Sequence, residues 1–93
     1  MTTENLKKAP LKILHPEYDR AQSFYRKAHT RSANGITQLL SYLTVVAQIE
    51  KGKITLLDQW NYSATTLRHV KEFLKQHGFK ADSKKQIAAD YTN

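Results

Sequence analysis

Cysteine is absent from this 93-residue chain, which excludes disulfide staples and thiolate metal sites and fits a reducing compartment. Proline occurs twice, at Pro10 and Pro16, so the strongest helix breakers sit near the N-terminus. Glycine occurs three times, at Gly35, Gly52 and Gly78. That is too sparse for a phosphate-cradling glycine loop, and with so small a core it argues against an enclosed pocket. No apolar run approaches the roughly 20 residues that span a bilayer. Met1-Thr-Thr-Glu-Asn-Leu-Lys-Lys8 has no apolar stretch behind its lysines and does not read as a signal peptide. The expectation is a soluble, cytoplasmic protein with no membrane partner.

What the chain does have is positive charge. Its net charge is +7, and hydrophobic residues make up 40% of it, enough for a modest core in one small domain. Residues 1–31 hold seven Lys/Arg against three acids, residues 32–62 two of each, and residues 63–93 six against three. An excess at the two ends attracts polyanions, nucleic acid above all. The plain alternative is solubility.

Residues 1–18 are expected to form a flexible tail, on which Leu11, Ile13 and Leu14 can still dock, and residues 19–93 a single small α+β domain. Ser23-Phe-Tyr-Arg-Lys-Ala-His-Thr30 alternates as a strand. Asn34-Gly35 signals a hairpin. Ile36 to Glu50 is rich in β-branched and aromatic residues and reads as one long partner strand. Lys51-Gly52-Lys53 makes a second turn into Ile54-Thr-Leu-Leu57. Ser63 opens a helix that Gly78 stops, and Leu67, Val70, Phe73 and Leu74 form its buried stripe. Ser83-Lys-Lys-Gln86 has capping-box spacing and opens a short last helix. The expected architecture is a three-stranded antiparallel β-meander packed on one main α-helix, plus a short C-terminal helix.

Alternation along the long strand puts Leu43, Val45, Ala47 and Ile49 under the helix and Leu40, Tyr42, Thr44, Val46 and Gln48 on the open side. Tyr25, Lys27 and His29 join that open side. Aromatics interleaved with cations suit stacked bases and phosphates. The same face also fits a cross-strand tyrosine pair or a homodimer interface. At the helix start, Ser63, Thr65, Thr66, Arg68 and His69 surround free backbone N–H groups with no carboxylate among them, which suits a phosphate or simple capping. Arg68, Lys71 and Lys75 form a cationic stripe that suits a nucleic-acid backbone or simple solvation.

The spacing in His15-Pro-Glu17-Tyr-Asp19 matches no metal motif. No nucleophile elbow is present. The expectation is a protein without cofactor, metal or enzymatic activity. The candidate nucleic-acid contacts are Tyr25, Lys27, Tyr42, Ser63, Thr65, Thr66, Arg68, His69, Lys71 and Lys75, with DNA or RNA as partner.

Two segments, Ser41-Tyr-Leu-Thr-Val-Val-Ala-Gln-Ile49 and Tyr62-Ser-Ala-Thr-Thr-Leu-Arg-His-Val-Lys-Glu-Phe-Leu-Lys-Gln-His-Gly-Phe79, resemble a group of small uncharacterised proteins of bacteriophages, plasmids and integrated elements. The shared pattern is S-Y-x-T-x-V-A-x-I followed by S-A-T-T-x-R-H-I-x-E-F-L-x-Q. With Ser23-Phe-Tyr-Arg-Lys-Ala28 the resemblance covers residues 23–91. Leu43 stands where a second threonine is frequent, and Val70 where isoleucine is. The resemblance implies a mobile-element origin and a shared fold, without a mechanism. It points to Tyr42, Thr44, Tyr62, Ser63, Thr65, Thr66, Arg68 and His69 as residues to test.

Overall fold

The computed structural model describes residues 8–15, 17 and 27–92. Five antiparallel strands lie in sequence order in one sheet: β1 (Lys12–Ile13), β2 (Ala28–Ala33), β3 (Ile36–Ser41), β4 (Thr44–Glu50) and β5 (Lys53–Leu56). Two helices follow, α1 (Ala64–Gln76) and α2 (Lys84–Tyr91). The fold is α+β; among the described residues the expected three-stranded meander on one main helix plus a short C-terminal helix is corrected to a five-stranded sheet with two helices.

Two differences account for the change. Lys12 and Ile13 pair with Thr30 and His29 as an edge strand, and Leu14 donates its N–H to the Ala28 carbonyl at 2.9 Å. Leu14 is buried in the core. The second difference is that the expected strand from Ile36 to Glu50 breaks at Tyr42-Leu43, so that Ser41 pairs with Thr44 and Leu40 with Val45. At roughly 3.3 Å per residue, those 15 residues unbroken would run about 50 Å. The longest extent of the domain is 32 Å. A strand of that length would leave its ends without neighbours, so the chain folds back.

The β3–β4 register slips between Leu39 and Leu40, with Leu39 opposite Ala47 and Leu40 opposite Val45. Val46 is the extra residue of this bulge. A bulge re-aims a side chain, and here Val46 and Ala47 are both buried in the core. The expected alternation is corrected accordingly: Val46 turns inward and Leu43 lies exposed in the turn. Leu39, Ala47 and Ile54 from the sheet pack with Val70, Phe73, Leu74 and Ile87 from the helices. Full burial of each large side chain stabilises by about 1.5–3 kcal/mol before entropy is counted.

The other sheet face is not the expected tyrosine platform. Cross-strand pairs share a face, and here Arg31, Gln38 and Gln48 form a ladder. The Arg31 Nε donates to Gln38 at 2.9 Å, and Gln38 Nε2 donates to Gln48 at 3.2 Å. Gln38 and Leu40 are themselves buried. Tyr42 has left that face for the turn, and Tyr25 lies outside the described residues.

The helix ends follow from local sequence. The Ser63 hydroxyl accepts the Thr66 N–H at 3.1 Å, and Ser83 accepts that of Gln86 at 3.1 Å. At the C-terminal end of α1, Gly78 takes a φ of +83°. The Phe79 N–H then reaches the Leu74 carbonyl at 2.9 Å, and the Gly78 N–H reaches that of Lys75 at 3.1 Å. This is the Schellman arrangement, which satisfies carbonyls the helix leaves open.

Candidate functional site

The break at Tyr42-Leu43 determines where the site forms. Tyr42 and Leu43 have φ of 51° and 67°, the left-handed conformation of a two-residue type I′ hairpin turn. Such a φ costs a non-glycine residue about 1 kcal/mol or more. Both side chains point into solvent, Tyr42 at 53% and Leu43 at 67% exposure. The Tyr42 N–H donates to the Lys27 carbonyl at 2.9 Å, and the Lys27 ammonium lies 5.9 Å from the centre of the Tyr42 ring. This is cation–π range, worth about 0.5–1 kcal/mol at an exposed position.

The loop between β5 and α1 brings the second half of the site. It is tied by Trp60 N–H to the Leu57 carbonyl at 3.0 Å and Tyr62 N–H to that of Gln59 at 3.1 Å. Trp60 anchors it in the core, while Tyr62 projects outward at 78% exposure. Ser41, Tyr42, Thr44 and Val46 from the hairpin then face Gln59 and Tyr62 from the loop and Thr66 from α1 across an open cleft of about 340 Å³.

Behind the cleft runs a chain of hydroxyls. Ser63 Oγ donates to Thr66 Oγ1 at 3.1 Å, Thr66 Oγ1 lies 3.1 Å from Ser41 Oγ, and Ser41 Oγ lies 2.8 Å from His69 Nδ1. With Ser63 donating, each of the three hydroxyl protons finds an acceptor when Thr66 donates to Ser41 and Ser41 to His69. His69 Nδ1 is then an acceptor, and Nε2 carries the ring proton. Ser41, Thr66 and His69 are buried at 3%, 2% and 0% exposure. Buried hydroxyls in a satisfied chain hold their positions rigidly, so the cleft floor is preorganised.

The same side of α1 continues as a polar seam. Glu72, 1% exposed, accepts the Glu17 N–H at 3.0 Å and a Gln76 amide N–H at 2.6 Å. The Gln76 amide also donates to the His15 carbonyl at 2.7 Å. Ser63, Thr66, His69, Glu72 and Gln76 recur at helical spacing beside the apolar stripe, and that periodicity is the sequence signal that joins Glu72 and Gln76 to the helix-start residues Ser63, Thr66 and His69.

Against the expected contacts, the outcome divides. Tyr42 and Thr66 line the cleft, and Thr44 and Tyr62 from the sequence pattern join them; Lys27 stands beside the Tyr42 ring, and Ser63 bonds Thr66 from behind the cleft. His69 is fully buried, which corrects its expected place as a contact, because its ring is needed by Ser41. Thr66 reaches the cleft only as part of the floor. Thr65 is half-buried and Arg68 exposed on the first turns of α1. Lys71 and Lys75, both half-buried, lie about 12 and 18 Å along the axis from Ser63 at 1.5 Å per residue, beyond the cleft. Ser41, Val46 and Gln59 are cleft residues that sequence reasoning missed.

Fold and site together define a small α+β protein with a braced, tyrosine-flanked cleft at one end of its sheet. The chain belongs to the family of unknown function DUF8033, whose family model matches residues 12–89. No curated protein matches it significantly, and no solved structure does either. Among the described residues no helix is long and apolar enough to cross a membrane, and no group of side chains is arranged to hold a metal ion.

Proposed function

We propose that this protein is a non-enzymatic nucleic-acid-binding accessory protein of a bacteriophage or plasmid. The observation that carries the reading is the convergence at one cleft of two exposed tyrosines, Tyr42 and Tyr62, with Lys27 and the start of α1. That first helical turn holds no acidic residue, so nothing there repels a phosphate. Lys27, Lys71 and Lys75 have no carboxylate within ion-pair reach among the described residues, where Lys80 and Asp82 pair at 3.8 Å. These lysines belong to a chain whose net charge is +7, which favours an anionic partner. The mobile-element origin rests on the resemblance of the Ser41–Ile49 and Tyr62–Phe79 segments to proteins of such elements.

The test is fluorescence anisotropy with labelled DNA and RNA. Three phosphates neutralised on a single strand would weaken binding about 20-fold between roughly 50 and 200 mM salt. Lys27→Ala with Arg68→Ala should flatten that salt dependence. Absence of binding at the lower salt, or binding indifferent to salt, removes the reading.

A second reading has its own observation. Leu43 at 67% exposure, next to the exposed Tyr42 in the same turn, makes an apolar corner suited to a protein partner, either a second copy or a host protein that the element regulates. The homodimer expected through the open sheet face moves to this corner, since that face lacks Tyr42. Light scattering that shows a dimer dispersed by Leu43→Asp would favour this reading over the first.

A further inference from the structure

Resting on the nucleic-acid reading, we infer that the cleft between Tyr42 and Tyr62 receives a single unpaired base, so that the ligand is single-stranded. Three independent features converge on this. The first is the turn itself. The two other hairpin turns of the sheet place glycine at their second position, Gly35 and Gly52, where it is conformationally favourable. The turn at Tyr42-Leu43 has the same left-handed geometry with two bulky side chains held outward. Folding alone would be better served by another asparagine–glycine pair, and strain of this kind accompanies ligand contacts.

The second feature is the cleft's shape and chemistry. Its volume of about 340 Å³ lies at the small end of ligand sites, suited to one flat ring system and not to a duplex. Tyr42 and Tyr62 both line it, and tyrosine is a residue on which bases stack. Thr44 and Gln59, both exposed, supply a hydroxyl and an amide group for an unstacked base, whose edge exposes its donors and acceptors. They stand above a floor of Ser41 and Thr66, whose hydroxyl protons are committed to the buried chain. The third feature is preorganisation. The Ser63–Thr66–Ser41–His69 chain fixes the floor hydroxyls before any ligand arrives, while Lys27 beside the Tyr42 ring stands where the backbone phosphate of an inserted nucleotide would pass. Stacking on tyrosine is tolerant of base identity, so modest preference among bases is expected.

The experiment compares three ligands of equal phosphate number with the wild-type chain and with Tyr42→Asn, Tyr42→Phe and Tyr62→Ala: a single-stranded oligonucleotide, a duplex of half its length, and a single strand carrying consecutive abasic sites. Asparagine accepts the left-handed φ, so Tyr42→Asn removes the ring without straining the turn, and thermal unfolding of each variant checks its fold. The single strand should bind at least about 5-fold more tightly than the abasic strand, and Tyr42→Asn and Tyr62→Ala should each remove about that factor. Tyr42→Phe should retain it, and the abasic strand should bind all four proteins alike. Equal binding of abasic and normal strands, with salt dependence intact, would overturn base insertion and leave the nucleic-acid reading standing. Preference for the duplex would do the same. No binding of any of the three at about 50 mM salt would overturn both.

Discussion

At one end of the sheet the chain reverses through Asn34-Gly35 and Lys51-Gly52, and at the opposite end through Tyr42-Leu43. All three turns use positive φ at both central residues, 54° and 80°, 52° and 76°, and 51° and 67°. The backbone problem is the same, yet the residues differ. At the first end each turn contains a glycine, and a Cβ added to Gly35 or Gly52 would meet nothing within 4 Å. Those turns have only a conformational requirement and no packing role. At the second end the requirement is met by residues poorly suited to it, and their side chains stand in solvent beside a braced cleft. One end is therefore built for folding. The other gives up local stability to hold Tyr42 and Leu43 in a fixed, exposed position, which is where a functional site is expected.

Four experiments can break or sharpen that contrast. The largest effect should come from the brace. Ser41→Ala removes the link between Thr66 and His69, leaving a buried donor and a buried acceptor unmet, and should destabilise the domain by about 1–3 kcal/mol in denaturant unfolding. A change under about 0.5 kcal/mol would mean that the hydroxyl chain carries little. Next in size, Tyr42→Asn combined with Leu43→Gly should stabilise by roughly 1–2 kcal/mol by relieving the turn while weakening nucleic-acid binding. A loss of stability would show that the two side chains are fold residues. Gly52→Ala should cost about 1 kcal/mol through its φ alone, and an unchanged midpoint would show that the glycine end is not under the constraint assigned to it.

The smallest effect is one of pH. Burial, together with the neighbouring Asp90 charge, raises the Tyr91 phenol above its ordinary value of 10.0. The folded state therefore holds the proton more tightly than the unfolded one. This contribution is whole below pH about 10 and is lost as pH rises through the raised value. Tyr91 also donates to the Lys80 carbonyl at 2.8 Å. Denaturant midpoints followed from pH about 9 to 11 should fall more steeply for the wild type than for Tyr91→Phe, and identical slopes would remove the assignment.

Much of the fold was open to sequence reasoning where the controlling interactions are local. Ser63, Gly78 and Ser83 mark helix ends through bonds to residues only a few positions away. Asn34-Gly35 and Lys51-Gly52 announce their turns by composition. Ser41-Tyr-Leu-Thr44 announces nothing, since each residue is at home in a strand, and an unbroken Ile36 to Glu50 follows from reading propensity alone. Domain size carried the missing information, because a strand of about 50 Å at roughly 3.3 Å per residue outruns a chain this short. Ile13 was expected to dock on the domain as a short extended piece, but its place with Lys12 in a sheet strand was hard to see for another reason: two residues have no period to detect.

The sequence by itself determined the helix boundaries, the apolar stripe of α1, the excess of positive charge and the identity of the two patterned segments. The tertiary structure decided that those segments meet. Ser41 and Thr66 are 25 positions apart and Ser41 and His69 are 28 apart, and no local rule connects them. It also decided that His69 is a buried support while Tyr42 and Tyr62 are the exposed pair, because burial depends on what packs across the sheet and not on the residue's own neighbours in the chain.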